Sequence, residues 1–108
     1  MTTIDPDHNV MTLINVFRVD PSRCDELVAN LITATTDTLA DMPGFVSANI
    51  HRSDDGTTVV NYAQWTSRED YRAALDNPAV LPHLRQAADI AESFDPIIAT
   101  VVHSTSRS

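Results

Sequence analysis

Lysine is missing from this chain, cysteine occurs once and glycine only twice in 108 residues. Without lysine there is no Schiff-base chemistry and no lysine for a phosphate-binding loop. The single Cys24 excludes an internal disulfide framework and a multi-cysteine metal centre, and it reads as a small core residue of a helix. Two glycines make no glycine-rich loop for a dinucleotide, and no G-x-S-x-G nucleophile elbow occurs. The four histidines are scattered, with no i, i+4 pair beside an acid, so no metal set is visible. Positive charge is also scarce, with seven basic against fifteen acidic side chains and a formal net charge of −8. That balance repels phosphate backbones, and no arginine stripe counters it, so nucleic acid is excluded as a partner. No apolar run approaches the ~18 residues of a membrane span. The polar start Met1–Asn9 lacks a signal-peptide core, so a cytoplasmic protein with no membrane partner is expected.

What is present is an ordinary globular composition, 43% hydrophobic and 20% charged, in a chain long enough for one domain. Residues 1–9 read as a flexible lead, 10–103 as a single domain and 104–108 as a flexible tail. Val10–Val19 alternates in period two and predicts a strand. Asp20-Pro21 then starts a helix, with Asp20 as N-cap, and the stripe Leu27, Val28, Leu31, Ile32, Leu39, Met42 carries it to about Met42. Pro43-Gly44 ends it. A second strand is expected from Phe45 to about Arg52, a hairpin at Asp54-Asp55-Gly56, and a third strand over Thr57–Trp65. Ser67 caps a short helix, Asn77-Pro78 opens another, Asp95-Pro96 closes that region and Ile97–His103 forms a last strand. The order β-α-β-β-α-(α)-β is that of an α+β fold, the ferredoxin-like split βαβ with a four-stranded antiparallel sheet under a layer of helices.

Helices can cover only one face of such a sheet, yet the strands carry apolar residues on both. Leu13, Phe17, Phe45, Val59, Ala63, Ile97, Ala99 and Val101 make one set. Ile14, Val16, Val46, Ala48, Ile50, Val60, Tyr62, Ile98 and Val102 make the other. Covering several hundred Å² of the second set at ~25 cal/mol per Å² provides roughly 10 kcal/mol before association costs. A homodimer paired sheet to sheet is therefore expected.

Polar residues interrupt the first set: Asn15 on strand one, Asn49 and His51 on strand two, and Asn61 with Trp65 on strand three. Asn61 and Trp65, four apart, share a face about 13 Å apart along the strand. If that face looks at the helices, these groups line a cavity that Tyr71 on the short helix can close. Each also has a plain structural reading, as a loop hydrogen bond, a solvated strand end or a core ring. The case rests on convergence where an ordinary core would collect Val and Ile. His83 and Arg85 on the last helix flank its apolar stripe about 200° apart, and helical geometry leaves open which of them faces the cavity.

Pro43-Gly44-Phe45-Val46-Ser47-Ala48, His51-Arg52-Ser53, Asp55-Gly56-Thr57, Val60-Asn61-Tyr62-Ala63-Gln64-Trp65 and Phe94-Asp95-Pro96 together resemble the antibiotic biosynthesis monooxygenase family, over about Val10–His103. The resemblance implies a dimeric α+β barrel. It also implies cofactor-independent oxidation of an aromatic polyketide-type phenol to a quinone with O₂, the small aromatic substrate supplying the electrons. It assigns Asn61 and Trp65 to the substrate oxygen or peroxide, Tyr71 and Arg85 to proton transfer and orientation, and His51 to acid–base work. Asn15, Asn49, Phe17 and His83 become substrate-binding candidates. A heme-degrading branch of the same superfamily uses an Asn, a Trp and a His that Asn15, Trp65 and His83 also match, so heme is the alternative cofactor. A ligand-binding module of the same fold without turnover is the third reading.

Overall fold

The computed structural model describes residues 1–107, and Ser108 lies outside the described residues. Strand β1 (Met11–Arg18) is followed by a 3₁₀ turn at Pro21–Arg23 and helix α1 (Cys24–Asp37). Asp20 caps the turn, its Oδ1 accepting the Ser22 N–H at 2.9 Å. A second 3₁₀ turn at Leu39–Asp41 leads to β2 (Phe45–Arg52), β3 (Thr58–Trp65), α2 (Arg68–Leu75), α3 (Leu81–Ile90) and β4 (Ser93–Ala99). The sheet order is β2-β3-β1-β4 with every neighbouring pair antiparallel, so the ferredoxin-like arrangement expected from the order of elements is the one observed.

Three elements have boundaries that differ from those read along the chain. Helix α1 stops at Asp37 rather than about Met42. Thr35 and Thr36 donate their hydroxyls to the carbonyls of Leu31 and Ile32 at 2.8 and 2.9 Å, and Thr38 does the same to Ala34, a pattern that weakens a helix end. Helix α3 opens at Leu81 rather than at Asn77-Pro78. Asn77 instead closes a turn, its Oδ1 accepting the Ala79 N–H at 2.9 Å, and Pro82 takes the first-turn place where no N–H is needed.

Strand β4 begins at Ser93, not Ile97, and ends at Ala99, not His103. Pairing starts as soon as α3 ends, the Glu92 N–H reaching Arg18 O at 2.8 Å. Asp95-Pro96 therefore sits within the strand, where an edge position tolerates a proline.

The helix-facing side of the sheet carries two apolar clusters. Phe17, Val19, Cys24, Leu27, Val59, Ala87 and Ile90 pack at one end. Leu13, Ala63, Trp65, Tyr71 and Ala74 pack at the other. Between them lies the cross-strand row Asn15–Asn61, flanked by the rows Leu13–Ala63 and Phe17–Val59. Polar side chains thus interrupt the core along a single row.

Two residues of the lead touch the domain. Asn49 Nδ2 donates to Thr2 Oγ1 at 2.6 Å, and Gln64 Nε2 donates to Thr3 O at 2.7 Å.

Candidate active site

The row of asparagines is the floor of a cavity of about 240 Å³ between sheet and helices. Leu13, Asn15 and Phe17 come from β1, Phe45 and Ala48 from β2, Asn61, Ala63 and Trp65 from β3, and Phe94 and Pro96 from β4. The helices supply Leu31, Ala34 and Thr35, then Tyr71 and Leu75, then His83, Leu84, Ala87 and Ala88. Asn61 and Trp65 therefore do project beneath the helical layer and share the hollow with Tyr71.

An aromatic stack builds one end. The Phe45 and Trp65 rings meet edge to face with centroids 5.4 Å apart, and Tyr71 lies tilted against Trp65 at 5.9 Å. Trp65 is 2% exposed and Tyr71 9%. Helix α2 sets Tyr71 in place through its cap, where Ser67 Oγ accepts the Asp70 N–H at 3.1 Å and Thr66 Oγ1 donates to Asp70 Oδ2 at 2.7 Å. Burial pushes the Tyr71 phenol above its ordinary value. At neutral pH Tyr71 therefore keeps its proton and can act as a hydrogen-bond donor, not as a base. The opposite end is closed by Phe17 and Phe94, with centroids 6.2 Å apart.

The floor is polar and unsatisfied. Asn15 Oδ1 and Asn61 Oδ1 are both shielded from solvent and accept no hydrogen bond from the described residues. An enclosed acceptor without a donor costs about 1–3 kcal/mol, so two in one row are a polar interruption of the core that packing alone does not explain.

Three expectations about the site are corrected. A β-bulge between Phe45 and Ser47 shifts the alternation of β2, so Ala48 and Ile50 turn toward the helices. His51 and Asn49, opposite Val60 and Tyr62, turn to the far face. They are outside the cavity, His51 resting its Nδ1 against Asn49 O at 3.2 Å. The shifted β4 register likewise exchanges its faces: Phe94 and Pro96 stand opposite Phe17 and Asn15, while Ile97 and Ala99 stand opposite Ile14 and Thr12 on the far side. Of the two residues left open on α3, His83 lines the cavity, whereas Arg85 is exposed and is not part of the wall. Arg85 lies roughly 60° around the helix from Ala88, which places it outside the cavity edge.

Reading along the chain missed Thr35, Phe94 and Pro96. Thr35 falls one turn beyond Leu31 on the α1 stripe, a signal that was present, while the β4 residues depended on a register the chain does not display.

Heme would meet a poor fit. Asn15, Trp65 and His83 do share the wall, but none of the residues lining it is an arginine or lysine to hold the propionates. Among the described residues there is also no cluster of three His, Cys, Asp or Glu side chains for a metal ion.

A single antiparallel sheet, a helical cover and an enclosed apolar cavity with a few converging polar groups define a small α+β protein built to take a small molecule. The chain belongs to the antibiotic biosynthesis monooxygenase family, whose sequence model matches residues 10–88, and it is a monooxygenase of that family. It is 44% identical over 104 residues to tetracenomycin-F1 monooxygenase of Streptomyces glaucescens, covering 96% of this chain and 92% of that one. Among solved structures it resembles the ActVA-Orf6 monooxygenase of Streptomyces coelicolor in complex with nanaomycin D. That match has TM-score 0.76, 30% identity and coverage of 96% of each chain. It also resembles an alanine variant of SnoaB, a cofactor-independent oxygenase from Streptomyces nogalater. There the TM-score is 0.73 and the identity 27%, over 90% of this chain and 97% of that one. Among the described residues no helix is long and apolar enough to cross a membrane.

Proposed function

We propose that this monooxygenase oxidises a phenolic ring of a polycyclic aromatic, polyketide-type substrate to a quinone with O₂ and no cofactor. The observation that carries the reading is the row Asn15–Asn61, two enclosed amide oxygens without donors on the floor of an otherwise apolar hollow. A phenolic O–H is such a donor, and the aromatic side chains of Phe17 and Trp65 both line the cavity. The names of the relatives point the same way: one is called for tetracenomycin F1, one holds nanaomycin D and one is described as cofactor-independent.

The chemistry balances without an external reductant. For a naphthol, C₁₀H₈O and O₂ give C₁₀H₆O₂ and H₂O, the substrate losing four electrons and one oxygen atom leaving as water. The phenol first loses its proton, and the electron-rich anion passes one electron to O₂. Recombination at the ring carbon gives a peroxide anion, which takes back one proton to become the hydroperoxide and then eliminates water. Asn61 Nδ2 and Trp65 Nε1–H are preorganised donors for the oxygen that gains charge, and Asn15 orients the hydroxyl. Tyr71, which keeps its proton, donates to the departing oxygen. Phe17 supports the ring. His51, Asn49 and Arg85, outside the wall, take no step.

We further read the working form as a homodimer paired through the far face of the sheet. There Ile14, Val16, Val60 and Tyr62 are only half buried and Ile97 is 43% exposed.

Oxygen uptake with an anthrone or naphthol and no added cofactor tests the reaction. The purified protein should consume one O₂ per quinone formed. Asn61→Ala and Trp65→Phe should each lower kcat on the order of 10²-fold. Uptake absent from the wild type, or unchanged in both variants, ends the proposal.

A further inference from the structure

The cavity is not the only hollow that His83 borders. Between α1 and α3 lies a more open crevice of about 300 Å³ lined by Glu26, Ala29, Asn30, Thr33, His83 and Gln86. His83 is the one residue common to both linings. The two hollows differ in chemistry. The cavity is mostly aliphatic and aromatic, while every crevice residue except Ala29 carries a polar side chain. The backbone at this point is held in place: Asn30, 8% exposed, donates its Nδ2 to His83 O at 3.3 Å across the helix pair. The His83 backbone is thus anchored where the apolar cavity and the more open, polar-lined crevice meet.

We propose that His83 is a proton gate, taking the proton from the bound phenol on the cavity side and releasing it to water in the α1–α3 crevice. The inference rests on the phenol reading above. It supplies what that reading lacks, because Tyr71 keeps its own proton and the asparagines cannot accept one. In the step, the substrate O–H bond breaks and one imidazole nitrogen gains the proton. The imidazolium then loses the proton on its other nitrogen to crevice water, leaving a phenolate and one proton in solution. Histidine is suited to this because its two ring nitrogens can serve opposite sides. Two other titratable groups line these hollows. Glu26 on α1 is on the crevice side, where it is paired with Arg23 at 2.6 Å. Tyr71 on α2 is on the cavity side. The sheet contributes no titratable side chain to the cavity lining.

The test uses a phenol that cannot be oxidised further, a hydroxyanthraquinone whose ionised form absorbs at longer wavelength, mixed with the intact protein in a stopped-flow instrument beside a pH indicator. Wild type should form bound phenolate and release a proton in step. His83→Gln should slow both by roughly 10²–10⁴-fold, with imidazole in the buffer restoring much of the rate. Thr33→Leu, which fills the crevice and leaves His83 in place, should slow proton release and leave dye affinity unchanged. Phenolate formed as fast in His83→Gln as in wild type, or no phenolate in wild type, overturns the gate. So does a His83→Gln defect that appears only as weaker binding and ignores imidazole. Because the dye is not turned over, a protein that ionises it through His83 yet consumes no O₂ with naphthol would retain the gate and lose the oxygenase reading.

Discussion

Asn15 and Asn61 stand directly opposite each other on β1 and β3, and the side-chain oxygens of both are enclosed without a donor. The rows on either side, Leu13–Ala63 and Phe17–Val59, are apolar and belong to different core clusters. The fold therefore carries a polar seam between two halves of its core, a local loss of stability where the proposed chemistry takes place.

Removing that seam should separate stability from activity. In the double variant Asn15→Leu/Asn61→Leu, two acceptors that are costly to enclose are replaced by apolar groups beside an existing hollow. A gain of about 1 kcal/mol is expected, which for a domain of this size raises Tm by roughly 4–8 °C. Calorimetry should record the rise while oxygen uptake is lost. A double variant with lower Tm would mean that water or another group already satisfies the pair.

Tyr71 predicts an alkaline limit. Its phenol is raised by burial, so between the unfolded value of about 10 and the higher folded one, the unfolded chain is ionised while the native protein is not. The unfolded state then binds fewer protons, and stability falls as pH rises through that window. Below pH 10 the contribution is complete. Tm followed from pH 9 to pH 11.5 should drop more steeply in wild type than in Tyr71→Phe. Parallel curves would remove the argument for an enclosed phenol.

Gly44 joins the end of β2 to the cap of α2. Its φ of +84° suits glycine, and a Cβ there would lie within 2.6 Å of the Asp70 side-chain carbons. Gly44 O also accepts the Thr66 N–H at 2.8 Å. Gly44→Ala should therefore displace Asp70 and shift its neighbour Tyr71 away from Trp65. Gly56 is the control, with φ +74° but only ordinary contact at 3.7 Å from Pro21. Gly56→Ala should cost the backbone term alone, about 1–2 kcal/mol. Gly44→Ala should cost visibly more and change the emission of the single tryptophan. Equal losses in the two variants would show that Asp70 moves aside freely.

The parts of this protein that were legible in the chain were those governed by local pattern. Alternation places β1 and β3 with their inward residues, so the inward projection of Asn15, Asn61 and Trp65 is legible in the chain. Ser67 and Asp20 announced their caps. What failed was parity. One extra residue in β2 turned His51 and Asn49 outward, and the pairing of β4 with β1, Phe94 opposite Phe17, gave β4 the faces opposite to those expected. Neither the bulge nor the β4 register has a residue signature. Both arise from pairing with neighbours far along the chain, and a one-residue slip moves every later side chain to the other face. The choice between His83 and Arg85 failed to resolve for a similar reason, since it depends on how α3 is rotated against α1.

The far face supplies the remaining prediction. Its Thr12–Gln64 end is covered, with Thr12 and Gln64 buried and the lead residues Thr2 and Thr3 bound to Asn49 and Gln64. Its other end, the row His51–Val60–Val16–Asp95, has no helix over it. A second copy should therefore seat on Val16 and Val60, and the wild type should sediment at twice 11.9 kDa. Val60→Asp would place a charge in the middle of that contact at a cost of about 4 kcal/mol, weakening association on the order of 10³-fold. Because alternate residues of β3 point to opposite faces, Asn61 would keep its place on the cavity floor, and the variant should remain folded as a monomer. Sedimentation velocity at micromolar concentration reads both outcomes, and a wild type already monomeric there would leave the far face to some other partner.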